Sequence, residues 1–173
     1  MKKITLSLLF VALSSGALFA QSKTNFKNKK SNKMETSQNK ETALNLSKAI
    51  MTGEWDKVNE LLDDNFQYIG DGQPAINKQE YIYFMKEMLC TAMTNMDMKF
   101  PRVIAEGDLV SVDYTNEMTN SGTFFGIPPT NKRILGTGQF IRQIKNGKVI
   151  AEWQTTNMYG MMIQLGVIPA PKN

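Results

Sequence analysis

Asn146–Gly166 reads NGKVIAEWQTTNMYGMMIQLG, and shortly before it Gly122–Arg133 reads GTFFGIPPTNKR. The pair Asn146-Gly147 is a strong two-residue hairpin signal, because both central positions of a type I′ turn need positive φ, which Asn and Gly tolerate best. On its near side Ile134–Ile144 is a candidate strand. On its far side, strict alternation puts Val149, Ala151, Trp153, Thr155 and Asn157 on one face of the last strand. The apolar run MMIQLG then closes the chain's folded part. Pro128 and Pro129 cannot donate to a sheet ladder, and Gly122 and Gly126 permit unusual dihedrals, so GTFFGIPPT is expected to be a loop between long strands.

Upstream the same twofold period holds. Val110, Val112, Tyr114, Asn116 and Met118 alternate with Ser111, Asp113, Thr115 and Glu117, which predicts a long strand with the two sets on opposite faces. Just before it, up to Met96, the period is helical instead. Ile82, Met85, Leu89, Met93 and Met96 predict one amphipathic helix over Lys78–Met96. Phe66 and Tyr68 predict a brief strand ended by GDGQP. Ala43, Leu46 and Ile50, then Trp55, Val58, Leu61 and Leu62 beyond Gly53, predict two helices meeting at a corner. Helices followed by hairpin-linked strands define an α+β domain, in which the helices cover a curved antiparallel sheet and leave room for a ligand between them.

GIPPT with a following basic residue, the GK hairpin, Trp153 and the QLG ending occur in the order seen in the SnoaL-like polyketide cyclase (ester cyclase) family, and the two quoted stretches resemble its closing hairpin. The resemblance implies an NTF2-like cone and a small, cofactor-independent protein. Some members close polyketide rings by intramolecular aldol condensation, and many others have no assigned reaction. It also implies that the face carrying Trp153 and Asn157 points into the pocket, and that the sheet's exposed face makes a homodimer. The family's typical ending has an acid four positions after the tryptophan, where this chain has Asn157. A carboxamide can orient a carbonyl but has no titratable group, so the family's proton-transfer role does not carry over to it.

Among other carboxylates, Asp71 follows the Phe66–Ile69 strand at the expected pocket edge, although an Asp in GDGQP ordinarily stabilises its own turn. Asp113 and Glu117 fall on the face opposite Tyr114 and Asn116, away from any pocket those two line. The catalytic candidates are therefore Asn157 and Asp71. The ligand-binding candidates are Tyr68, Phe84, Met88, Tyr114, Asn116, Met118, Gln139, Trp153 and Met161, an aromatic and thioether lining with a few polar tips suited to a flat hydrophobic molecule. Each methionine taken alone is a core filler. Phe124 and Phe125 are expected to pack, over the pocket mouth or against a second subunit. The chain has no histidine, which excludes Ser-His and Cys-His nucleophilic systems and His-based metal sites. No metal ligands are expected. Cys90 is the one cysteine, and among Met88, Leu89 and Met93 it reads as a buried thiol.

The first twenty residues have the layout of a secretory signal: two lysines, an apolar run from Leu6 to Leu13, and small residues before Gln21. Cleavage is expected after Ala20, with release to the periplasm or outside. Ser14, Ser15 and Gly16 interrupt the run too early for a stable membrane anchor. Residues 21–40 carry six lysines against Glu35 alone and read as a flexible Lys/Asn/Ser-rich leader, leaving residues 41–173 as the domain, with net charge −3. An acidic domain without a basic stripe lacks the footprint of nucleic-acid binding. The expected function is an exported binder of a small hydrophobic molecule. A cofactor-free cyclase or isomerase acting on a carbonyl compound and a dimeric interaction module are the alternatives.

Overall fold

The computed structural model describes residues 34–171, so the expected signal segment and residues 21–33 of the expected leader lie outside it. Contacts divide the chain into Met1–Glu35 and Thr36–Asn173, and every strand and cavity residue belongs to the second unit. A first helix, α1, occupies residues 34–52. It therefore already includes residues 34–40, which the sequence had assigned to the leader. Asn39 is buried there and donates from Nδ2 to the Gly107 carbonyl at 3.0 Å.

Gly53 (φ +71°) turns the chain into α2 (Trp55–Leu61), which runs directly into β1 (Leu62–Gly70). After a short β2 (Ile76–Asn77), Asn77 and Glu80 form a capping box that starts α3 (Lys78–Tyr83). The Asn77 side chain accepts from Glu80 N while Glu80 accepts from Asn77 N, satisfying two donors that a helix start would otherwise leave bare. The helix widens into a π-helical turn (Phe84–Leu89) and ends as α4 (Cys90–Ala92). It stops four residues short of the expected end, because Met93 and Met96 belong to β3 (Met93–Glu106). The pairing of β3 with its neighbour slips between Thr94 and Asp97, where Asn95 takes φ +51°. The extra residue stretches a spacing of two into a spacing of three, which imitates a helical period.

β4 (Leu109–Asn120), β5 (Arg133–Lys145) and β6 (Lys148–Thr156) follow, then α5 (Met158–Leu165). The six strands form one curved sheet in the order β2-β1-β6-β5-β4-β3. All neighbours are antiparallel except β1 and β6, which pair in parallel. Asn146 and Gly147 both have positive φ, as the type I′ turn requires. The concave face carries the core: Val110, Val112, Phe140, Ile144 and Val149 pack against Leu46, Val58, Phe66 and Tyr81.

The stretches that carried the family resemblance have structural reasons. Asn120 is fully buried and staples the GTFFGIPPT loop: its Oδ1 accepts from Thr130 N at 2.8 Å and Thr130 Oγ1 at 2.9 Å, and its Nδ2 donates to Gly122 O at 2.8 Å. Gln164 docks α5 on β5 in the manner of a strand neighbour, accepting from Leu135 N and donating to Leu135 O. Leu165 is buried, and Gly166 ends the helix in the left-handed conformation that favours glycine.

Candidate ligand cavity

The helices do not fill the concave face of the sheet. A cavity of about 480 Å³ remains between them. α1 supplies Ser47, Ile50 and Met51; the π-helical turn supplies Phe84, Met85 and Leu89. Phe124 and Phe125 come from a tight turn, with Phe125 and Gly126 at positive φ and paired main-chain bonds between Phe124 and Ile127, and both rings line the cavity. Seven methionine side chains, at 51, 85, 96, 98, 118, 158 and 161, make the wall mostly thioether and aromatic. Among the described residues, no group of three or more His, Cys, Asp and Glu side chains is placed to hold a metal ion.

Of the expected ligand-binding residues, Tyr68, Phe84, Tyr114, Asn116, Met118 and Met161 line this cavity, and so does the solvent-exposed Asp71. Met88, Gln139 and Trp153 do not. Gln139 is on the outer face of β5, Met88 is exposed on its helix, and Trp153 is 41% exposed beside Ile141 on the sheet's outer face. Asn157 also stays out. It is exposed and N-caps α5, accepting from Gly160 N at 2.9 Å.

A single bulge causes the last two corrections. Gln143 pairs with Ala151 but Ile144 pairs with Val149, so Ile150 is an extra residue in β6. Beyond it every side chain swaps faces. Glu152, Gln154 and Thr156 turn inward, and Trp153 and Thr155 turn outward. Replacing the cap should have a modest cost: Asn157→Ala is expected to lose about 1 kcal/mol in urea denaturation, whereas Asn157→Asp, an equally good cap, should be near neutral.

The swap also places Glu152 directly opposite Arg142. Arg142 Nε donates to Glu152 Oε2 at 2.6 Å, and the two residues are 2% and 0% exposed. Arg142 Nη1 reaches the Ala43 carbonyl and Ser47 Oγ, so the pair locks α1 onto the sheet. Its guanidinium lies 4.2 Å from the Phe140 ring centre. Tyr81 donates to the same Oε2 at 3.4 Å, while Glu152 Oε1 has no partner. Arg142 was legible as a charge on the apolar stripe of Ile134, Phe140 and Ile144. Its partner was not, because an unbulged hairpin would put Ala151 there.

Asp113 and Glu117 face outward as expected, paired with Arg102 and Arg133. Contrary to the expectation for such a turn, Asp71 does not use its carboxylate to close it: at φ +48° its Oδ1 accepts from Thr156 N at 3.0 Å and its N–H donates to Gln154 O, joining the ends of β1 and β6. Burial raises the Cys90 thiol above its ordinary range, which keeps it out of nucleophilic chemistry near neutrality.

Burial likewise raises the hydroxyls of Tyr68, Tyr81 and Tyr114, with the Glu152 charge adding to the shift in each. All three therefore keep their protons near neutrality, and Tyr81 donates its hydrogen bond to Glu152. The folded state thus holds more protons than the unfolded chain above about pH 10, the unfolded tyrosine value. Their contribution is complete below that pH and declines as pH rises through the higher folded values. In an alkaline titration, tyrosinate absorbance from these three residues should appear only as near-ultraviolet circular dichroism collapses.

The SnoaL-like polyketide cyclase family profile matches residues 40–165, so the chain belongs to this family. Similar solved structures include AclR from Streptomyces galilaeus, at 19% identity and TM-score 0.72, covering 80% of this chain and 87% of that one. A protein of the SnoaL-like polyketide cyclase group from Jannaschia sp. CCS1 has 23% identity and TM-score 0.72, covering 78% and 96%. IdmH from Streptomyces antibioticus has 20% identity and TM-score 0.67, covering 75% and 99%. At these identities the likeness concerns the NTF2-like fold. No curated protein matches the chain.

Proposed function

We propose that this is an exported SnoaL-family domain that holds a small, largely apolar molecule in its cavity and does not depend on residue 157 for chemistry. The observation that carries the reading is an open-mouthed cavity of about 480 Å³ walled largely by thioethers and aromatic rings, a size and lining suited to such a ligand. Export rests on the first twenty residues alone. A homodimer is proposed through the sheet's outer face, where the paired Ile141 and Trp153 are both exposed; Trp153→Lys should then shift the sedimentation coefficient towards the monomer.

Mass spectrometry of the protein recovered from its native host is the direct test. A bound small apolar molecule is expected. An empty cavity, together with no thermal stabilisation by any apolar additive, would overturn the reading. Asn157→Asp is expected to confer no enolising activity on a model ketone, since position 157 is outside the cavity lining. A cofactor-free cyclase or isomerase is the second reading, favoured by one observation: among the described residues lining the cavity, Asp71 is the one carboxylate, and it is solvent-exposed. Measurable turnover abolished by Asp71→Asn would establish it.

A further inference from the structure

Hydrogen-bond capacity is left over at one patch of the cavity wall. Tyr114 Oη and Thr156 Oγ1 lie 2.8 Å apart, and Gln154 Nε2 donates to both at 3.1 Å. Gln154 has two amide hydrogens, one for each oxygen. Only one hydroxyl hydrogen is then used between Tyr114 and Thr156, whichever of them donates, so the other remains free. Burial raises the Tyr114 pKa, so its proton is retained. All three residues line the cavity.

One pleat along β4, Asn116 lines the same wall and is 7% exposed. Its Oδ1 has no partner, and its Nδ2 has only the Met118 sulfur at 4.0 Å, a weak acceptor. An orphaned amide on a cavity wall costs stability unless something satisfies it. The soft terminal torsion of Asn lets either end of the carboxamide turn towards a ligand.

The charges of the wall complete the picture. Among the described lining residues they are Asp71 and Arg142. Arg142 is already neutralised by Glu152, and its Nε and Nη1 donors are committed to Glu152, Ala43 and Ser47. A ligand carboxylate would therefore lose its hydration for a guanidinium whose charge Glu152 already balances, and would share the cavity with the Asp71 charge.

We infer that the cavity selects an uncharged ligand bearing a ketone or alcohol oxygen, which docks between Asn116 and the Tyr114–Thr156 pair, and that it discriminates against carboxylates. The inference rests on the binding reading above and names the chemistry of that same site.

Four matched probes separate the possibilities: naphthalene, acetylnaphthalene, naphthol and naphthoate, titrated against the full domain by their own fluorescence. Acetylnaphthalene and naphthol are expected to bind about tenfold tighter than naphthalene, with naphthoate no tighter than naphthalene, on the scale of one buried hydrogen bond. Asn116→Leu should remove about tenfold from acetylnaphthalene binding and leave naphthalene unchanged. Because this variant deletes an unsatisfied group, its thermal midpoint should not fall, so loss of fold does not confound the result. Tyr114→Phe/Thr156→Val should weaken acetylnaphthalene further, whereas either single change leaves one hydroxyl in place and should cost less. Naphthalene binding with no preference for the oxygenated probes, or with naphthoate tightest, overturns the inference and leaves the binding reading standing. Failure of all four probes to bind overturns both.

Discussion

Glu152→Leu is expected to destabilise the domain by about 3–5 kcal/mol, the usual consequence of removing one member of a buried ion pair. The loss comes chiefly from what is left behind. Arg142, 2% exposed, would keep a full charge in the core with no carboxylate near it. Its remaining contacts, to the Ala43 carbonyl, Ser47 and the Phe140 ring, offer partial dipoles and a quadrupole in place of a charge. The double variant Arg142→Met/Glu152→Leu should recover most of the loss, because it replaces the pair with apolar groups of similar volume. Urea denaturation of the two single variants and the double variant gives the coupling directly. Additive single effects would mean that the two side chains do not depend on one another, contrary to their 2.6 Å hydrogen bond.

Gly138→Ala is expected to cost about 2–3 kcal/mol and Gly136→Ala less than about 1 kcal/mol, although the two glycines share one face of β5. A Cβ at Gly138 would collide with the Thr155 carbonyl and lie 2.6 Å from Tyr114 Oη. The carbonyl belongs to the paired strand and cannot retreat without opening the β5–β6 ladder. At Gly136 the closest atom is the Met118 methyl at 2.7 Å, the free end of a flexible side chain that can swing aside. The Gly138 variant should also lose its preference for oxygenated ligands, since the intruding methyl displaces the Tyr114 hydroxyl. Equal destabilisation by the two changes would show that Met118 is held as rigidly as the backbone.

Strand positions and cavity walls were legible where the twofold period ran uninterrupted. Along β4 the sequence placed Tyr114, Asn116 and Met118 together on the inner face and Asp113 and Glu117 on the outer one, as the structure has them. Period counting failed at bulges. The extra residue near Asn95 made Met93 and Met96 look like a continuing helix, and the extra residue at Ile150 sent Trp153 outward and brought Glu152 in. Local propensity does not mark either site, since a bulge satisfies a mismatch between two strands and so depends on the partner as well as the bulged chain. The inward position of Glu152 therefore depends on β5 as much as on β6 itself.

The sequence by itself determined the α+β class, the type I′ hairpin at Asn146-Gly147, the apolar and thioether character of the concave face, and the family. Each follows from local periodicity, from turn residues with particular φ requirements, or from a quoted run of residues. Tertiary structure alone decided which residues of β6 meet the cavity, that Arg142 and Glu152 pair in the core, and that Asn157 caps a helix instead of facing a ligand. Those outcomes depend on register between strands, where one inserted residue reverses every side chain beyond it.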